Sequence, residues 1–155
     1  MNVLTLIFLR RGDEVLLGYK KRGFGMGQWN GVGGKVEEGE SVEDGARRET
    51  LEETGIKIGA LNRFGIIQCD YRNVEKPGVI EIHLFDTRDF SGEPVETEEM
   101  KPAWYAVSEF PFDHSWPDDR YWVPWYLAGK KFRGHFLFDG YATITEHELH
   151  EADDV

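Results

Sequence analysis

The chain begins with an almost unbroken apolar run, residues 3–9, interrupted only at Thr5. A run with so little polar alternation predicts a strand buried on both faces. Arg11-Gly12-Asp13-Glu14 is a polar turn, and residues 15–19 resume the apolar pattern, so the chain opens with a hairpin. Residues 23–34 carry six glycines among twelve positions. Backbone without side chains can approach a ligand closely, so this stretch reads as a loop walling a site, with Trp29 and Asn30 as its fixtures. A helix is predicted over 42–54, with Ser41 as N-cap, Asp44 three residues on, and Gly55-Ile56 as the closing glycine with its apolar contact. Residues 60–70 and 79–86 read as strands about the polar turn 72–78, which contains Pro77. An acidic surface loop over 91–102 precedes a strand over 103–107. Residues 108–124 have little periodicity, and a short helix is expected around 118–128. Asp139-Gly140 is a hairpin signal between strand-like runs at 132–138 and 141–148, and 151–155 reads as a frayed tail. Strands on both sides of one strongly signalled helix predict an α+β domain with a mixed sheet.

That helix carries an unusual charge pattern. At about 100° per residue, Val42, Ala46, Glu49 and Glu53 share a stripe, with Glu52 to one side of Glu53. Arg47, Leu51 and Asp44 lie opposite, and Arg48 is placed one turn before Glu52 for an ion pair. A glutamate-rich surface helix would set its charges opposite the apolar stripe; here the carboxylates share it. Three carboxylates so close repel one another unless a cation neutralises them. Oxygen-only ligands point to a hard ion such as Mg²⁺, which typically uses one or two carboxylates together with substrate phosphates.

Composition narrows the setting. A length of 155 residues fits one domain, and 40% hydrophobic with 14% aromatic content describes a globular chain. No apolar run approaches the roughly 18 residues that a membrane span needs, and residues 3–9 lack a basic leader, so no membrane association and a cytoplasmic location are expected. Cys69 is the single cysteine, which leaves no internal disulfide. A net charge of -11 argues against duplex nucleic acid as a partner. A small anionic ligand remains compatible if metal screens it, and a monomer is expected. Positive charge is local: Lys20, Lys21 and Arg22 cluster, either as a solvated hairpin edge or as anion contacts, and Lys35 stands alone in the glycine loop. Trp116-Pro117-Asp118-Asp119 offers an aromatic face for stacking and two adjacent carboxyls; buried together, they would keep at least one proton and present both a donor and an acceptor.

The spacing of Gly34, Glu40, Arg48-Glu49, Glu52-Glu53 and Gly55-Ile56 is that of the Nudix box, and the chain resembles the Nudix hydrolases, which cleave nucleoside diphosphates linked to another group. Thr50 stands where that family usually has an aliphatic residue, which would loosen the helix's packing slightly. Lys20-Lys21-Arg22-Gly23-Phe24-Gly25, Trp29-Asn30-Gly31, Glu98-Glu99-Met100, Trp116 to Asp119 and Tyr121-Trp122 extend the likeness to the animal branch of the family that acts on oxidised purine nucleoside triphosphates. The resemblance implies a mixed sheet sandwiched between helices. It also implies Mg²⁺-dependent hydrolysis, with Mn²⁺ as a substitute, of 8-oxo-dGTP or 2-hydroxy-dATP to the monophosphate and pyrophosphate. By the same resemblance Glu52 and Glu53 are metal ligands, Glu49 a ligand or the water-activating base, and the Gly33 carbonyl and Glu99 further ligands. Arg48 would orient Glu49 and Glu52, and Lys35 with Gly34 would meet phosphate. Asn30, Trp116, Pro117, Asp118 and Asp119 would read the base, with Thr5, Lys20, Phe24 and Val32 lining the same pocket. Glu40 fits either a loop-fixing or a catalytic role. Cys69 replaces an expected large aromatic, and the 72–78 turn is about two residues longer than the family's, so a reshaped base pocket is expected. A Nudix hydrolase for another linked nucleotide, or a non-catalytic nucleotide-binding module, is the alternative.

Overall fold

The computed structural model describes residues 1–23 and 25–155. Its centre is β1 (Asn2–Arg11), whose apolar run is buried on both faces as expected. Leu6 and Phe8 enter one core with Trp122, Val123 and Tyr126, while Ile7 and Leu9 enter a second with Ala46 and Ile56. The two-residue period of a strand divides successive residues between opposite cores, which is why the run is apolar on both faces apart from Thr5, whose hydroxyl bonds the Gly34 carbonyl. Trp122 is fully buried, stacks on Phe8 and donates its indole N–H to Asp118, so its one polar atom is satisfied inside the first core.

The sheet grows from β1 in both directions. On one side β1 runs parallel to β6 (Gly78–Thr87), which pairs antiparallel with β5 (Asn62–Arg72). Beyond β5 comes parallel β9 (Phe132–Asp139), then antiparallel β10 (Thr143–Glu151). On the other side β1 meets β2 (Glu14–Lys20), and β2 pairs antiparallel with both β3 (Trp29–Asn30) and β8 (Met100–Ala106). A separate two-stranded ribbon joins β4 (Lys57–Ile58) to β7 (Phe90–Ser91). Helix α1 (Val42–Thr54) covers one face of the sheet and α2 (Asp119–Leu127) the other. Among the described residues no helix is long and apolar enough to cross a membrane.

Several expectations change on contact with the fold. The 23–34 loop contains β3, and the acidic 91–102 segment contributes to β7 and β8 at its ends. Residues 151–155 are tied down rather than frayed: Glu151 pairs with Phe132, Ala152 N–H donates to the Lys131 carbonyl, and Arg133 holds both the side chain and the carbonyl of Asp154. Thr50 meets its burial with a local hydrogen bond. It is fully buried with its hydroxyl donated to the Ala46 carbonyl at 2.8 Å, and Thr54 repeats the bond to Thr50 at 2.6 Å.

Helix α1 starts where the sequence places its cap. Ser41 has extended backbone and accepts the Asp44 N–H at 3.1 Å, and Gly55 closes the last turn through Leu51. Replacing Ser41 by Ala strands that N–H, so the variant should lose about 1 kcal/mol and melt roughly 2–4 °C lower. An unchanged midpoint in a thermal melt would show that the cap contributes nothing.

Candidate active site

The site is built where the glycine loop is trapped between β1 and α1. Ile7 exchanges backbone hydrogen bonds with Val32, and the Gly34 carbonyl accepts both the N–H of Thr5 at 2.8 Å and its hydroxyl at 3.3 Å. The space is too small for side chains. A Cβ on Gly33 would lie 2.1 Å from the Thr5 carbonyl oxygen, at φ 144°, and one on Gly34 would lie 2.5 Å from the Glu49 carboxyl carbon.

Arg48 fastens this loop to the helix. Its guanidinium donates to both oxygens of Glu40 at 2.8 and 3.0 Å, to the Lys35 carbonyl at 3.0 Å, to Glu49 at 3.0 Å and to Glu52 at 3.3 Å. Glu40 also accepts the Glu37 N–H at 2.8 Å. These bonds to Arg48, reinforced by the Glu37 N–H, hold the Glu40 carboxyl down at about 2, and Glu40 in turn raises the guanidinium's hold on its proton. Glu40 thus fixes the loop to the helix, one of its two expected roles.

Glu53 sits at the opposite extreme. Mostly buried, it accepts the Gly33 N–H at 3.2 Å, and burial pushes its carboxyl up to about 7, with the negative charges of Glu49 and Glu99 adding to the rise and Lys20 partly opposing it. Glu49 rests against Gly34, Glu52 is exposed, and Glu99 is exposed beside Arg22 at 3.4 Å. Among the described residues no three His, Cys, Asp or Glu side chains gather closely enough to enclose an ion. The donor set nevertheless fits one. A desolvated carboxylate facing two like charges, beside backbone that admits no side chain, is stabilised by an added divalent cation.

Glu53, Gly33 and Gly34 form one wall of a cavity of about 240 Å³, which also takes in Thr5, Lys20, Asn30, Trp116, Asp118 and Asp119. The structure therefore brings most of the predicted residues together. Val32 is the clear exception: it is 1% exposed in the core under α1, because pairing with Ile7 turns its side chain away from the cavity. Pro117 is half-buried outside the lining, and Lys35 is exposed, giving its carbonyl to Arg48. Phe24 lies outside the described residues. Cys69 is fully buried in the α2-side core directly behind the cavity, hydrogen-bonded to Tyr71, which lies two residues on and lines it. Sequence reasoning missed Gly18, Gln28 and Met100. A period-two count from Lys20 and Asn30 would have found the first two, since Gly18 pairs with Asn30 and Lys20 faces Gln28 across β2 and its neighbour.

At the far end Asp118 and Asp119 are almost wholly buried, at 5% and 1% exposure. Asp118 accepts the Trp122 N–H at 2.8 Å, while Asp119 has one carboxyl oxygen with no partner among the described residues. Burial, and then the neighbouring Asp118 charge, push the Asp119 carboxyl well above the usual carboxylate range, so the pair retains a proton. Cys69 and Tyr71 share a hydrogen bond next to it, and burial raises both of those groups as well. This end offers a proton donor as well as acceptors; the other end gathers negative charge.

Comparison with known proteins matches this arrangement. The NUDIX domain family model matches residues 2–126. The oxidized purine nucleoside triphosphate hydrolase of Mus musculus is 47% identical over 152 residues, covering 98% of this chain and 96% of that protein. The Danio rerio protein of the same description is 42% identical, covering 99% and 97%. A MutT protein structure from Bacillus halodurans superposes with a TM-score of 0.82 at 24% identity, covering 96% of this chain and 97% of that one, which speaks to the fold alone. With its box glycines and carboxylates assembled as described and this family match over most of its length, the chain belongs to the Nudix hydrolases.

Proposed function

We propose that this protein hydrolyses oxidised purine nucleoside triphosphates, of the 8-oxo-dGTP or 2-hydroxy-dATP type, to the monophosphate and pyrophosphate. The observation that carries the reading is one continuous cavity with a carboxylate and glycine wall at one end and Trp116 with a proton-sharing aspartate pair at the other. The relatives described as oxidized purine nucleoside triphosphate hydrolases support the substrate class. Water adds to a phosphorus of the triphosphate, its proton passes to a carboxylate, and the bridging P–O bond breaks with pyrophosphate leaving. Glu49, Glu52, Glu53, Glu99 and the Gly33 carbonyl are the groups that would hold Mg²⁺, or Mn²⁺ in its place. When bound, that ion supplies charge neutralisation on the phosphates and Lewis acidity. Arg48 keeps Glu49 and Glu52 turned to the loop, and Lys20 gives the cavity a positive charge near Glu53. Asn30 accepts the Gly31 N–H on its side-chain oxygen at 2.9 Å, which fixes its amide in the cavity that Asp118 and Asp119 also line. The ligand is a small nucleotide bound by a monomer; with a net charge of -11 the surface does not suit duplex nucleic acid.

A panel of 8-oxo-dGTP, 2-hydroxy-dATP, dGTP and dATP assayed with Mg²⁺ should show the highest kcat/KM on the oxidised bases; equal activity on dGTP would defeat the reading. Glu53→Gln should cut kcat at least about a hundredfold while melting no lower than the native chain, and near-native turnover at saturating Mg²⁺ would remove Glu53 from the machinery.

The aspartate pair makes a prediction with a definite sign. An unfolded Asp titrates near about 3.9, whereas Asp119 in the fold holds its proton well above that range. Between those values the folded chain binds a proton that the unfolded chain has lost, so stability falls as pH rises. Asp119→Asn removes this term. The variant's advantage in urea unfolding should be near zero below about pH 4 and widen with increasing pH. A pH-independent difference would mean that the pair holds no extra proton.

A further inference from the structure

A second cavity lies against the last turn of α2. It measures about 440 Å³ and shares no lining residue with the cavity described above. Phe64 on this lining and Tyr71 on the other stand at opposite ends of β5, roughly 23 Å apart along the strand. Arg10 enters the second cavity from β1, Tyr126 from α2 and Asp86 from the end of β6.

Arg10 is a cation without a counter-charge. It is half-buried, and among the described residues it pairs with no carboxylate. Its Nε donates to the Glu14 carbonyl at 3.2 Å and its Nη1 to the Tyr126 hydroxyl at 2.9 Å, both neutral groups, while Nη2 has no acceptor among the described residues. The other half-buried arginines, Arg47, Arg48, Arg63 and Arg133, each pair with an acid. Asp86, the acid on the lining, is engaged at both oxygens, by the Tyr126 hydroxyl at 2.6 Å and the Asn62 amide at 2.8 Å. Lys130 and Lys131 line the same cavity. Lys130 is shared between the Trp125 ring at 4.9 Å and Glu151 at 3.4 Å, whereas Lys131 forms no ion pair among the described residues. In a chain of 29 acids and 18 bases, this local surplus of positive charge beside a spare guanidinium edge is met by an anion.

The rest of the lining says what kind of anion. Phe64, Val107 and Leu127 give the cavity an apolar wall, and its volume suits a small organic molecule better than a bare ion. A guanidinium edge matches phosphate oxygens, and a phosphate monoester brings roughly two negative charges near neutrality. We infer that this cavity is a second binding site, for a phosphate monoester with an aromatic or aliphatic body, its head held by Arg10 and Lys131 and its body by the Phe64 wall. The inference does not rest on the nucleotide reading of the first cavity.

Phenyl phosphate is the probe, titrated into the metal-free protein and followed by NMR. The Arg10 side-chain Nε signal and the Ser108, Gly129 and Lys131 amides should shift saturably, while Gly33 and Gly34 stay in place. Inorganic phosphate, which has no body to bury, should bind at least about tenfold more weakly. Lys131→Gln should weaken phenyl phosphate about two- to fivefold, with turnover of the best nucleotide substrate and the melting point unchanged. Arg10→Gln should weaken it at least about tenfold, the worth of a hydrogen bond to a charged group. Because Arg10→Gln also removes a bond to Tyr126, a lowered melting point in that variant leaves Lys131→Gln to decide. No shift at the Arg10 signal with millimolar probe, an affinity that Lys131→Gln does not lower, or equal affinity for inorganic phosphate would each overturn the inference.

Discussion

One guanidinium carries the loop, the helix and the carboxylates together. Arg48 is placed by α1, yet most of its bonds run outward: to both oxygens of Glu40, to the Lys35 carbonyl, and along the helix to Glu49 and Glu52. The planar fork suits this geometry, since several donors leave one rigid group in fixed directions; a lysine ammonium could not span the same set. Glu40 is fixed in turn by the Glu37 N–H, so the segment from Lys35 to Glu40 closes on the helix instead of hanging from it. Gly33 and Gly34 lie closely between Thr5 and Glu49, where a side chain on either would clash.

The loop and the helix it closes on divide their acids into two populations. Glu40 has its charge met by Arg48, and its proton affinity falls to about 2; Glu53 is buried beside Glu49 and Glu99, and its affinity rises to about 7. Both shifts follow from what surrounds each carboxyl. Where a cation is supplied by the chain, the acid is structural. Where burial and like charges outweigh the nearest lysine, the fold holds a charge deficit that a ligand must meet, which locates the chemistry more sharply than the number of glutamates does.

What could be read from the residues follows from how local each feature is. The limits of α1 were legible because its caps are short-range signals, and β1 was legible because burial on two faces leaves no polar position to hide. The strands β3, β4 and β7 are two residues each and exist only through their partners, so no period announces them. The direction of a side chain was the weakest point. Val32 and Cys69 both sit next to the cavity in sequence terms, yet pairing with Ile7 turns one into the α1 core and the other lies beneath α2. Tyr71, Ile80 and Ile82 reach the cavity from strands whose neighbours are set by long-range register. The tail at 151–155 looked free because its anchors, Lys131 and Arg133, precede it by about a strand and a half, and only the β9–β10 hairpin brings them alongside.

The two ends of the cavity solve opposite electrostatic problems, and their separation is what makes a nucleotide a good guest. At the aspartate end, burial keeps a proton on the pair, so the surface there carries less negative charge and offers both a hydrogen-bond donor and an acceptor. Oxidation of a purine changes which atoms on its edge donate and which accept, and a carboxyl pair that holds one proton can meet both kinds in a dry site. At the glutamate end the protein is too negative to hold a triphosphate unaided, and a chain of net charge -11 offers no distant field to help. On the proposed reading a cation would supply the affinity for the phosphates, while base choice would fall to groups on another wall of the same cavity that no ion touches.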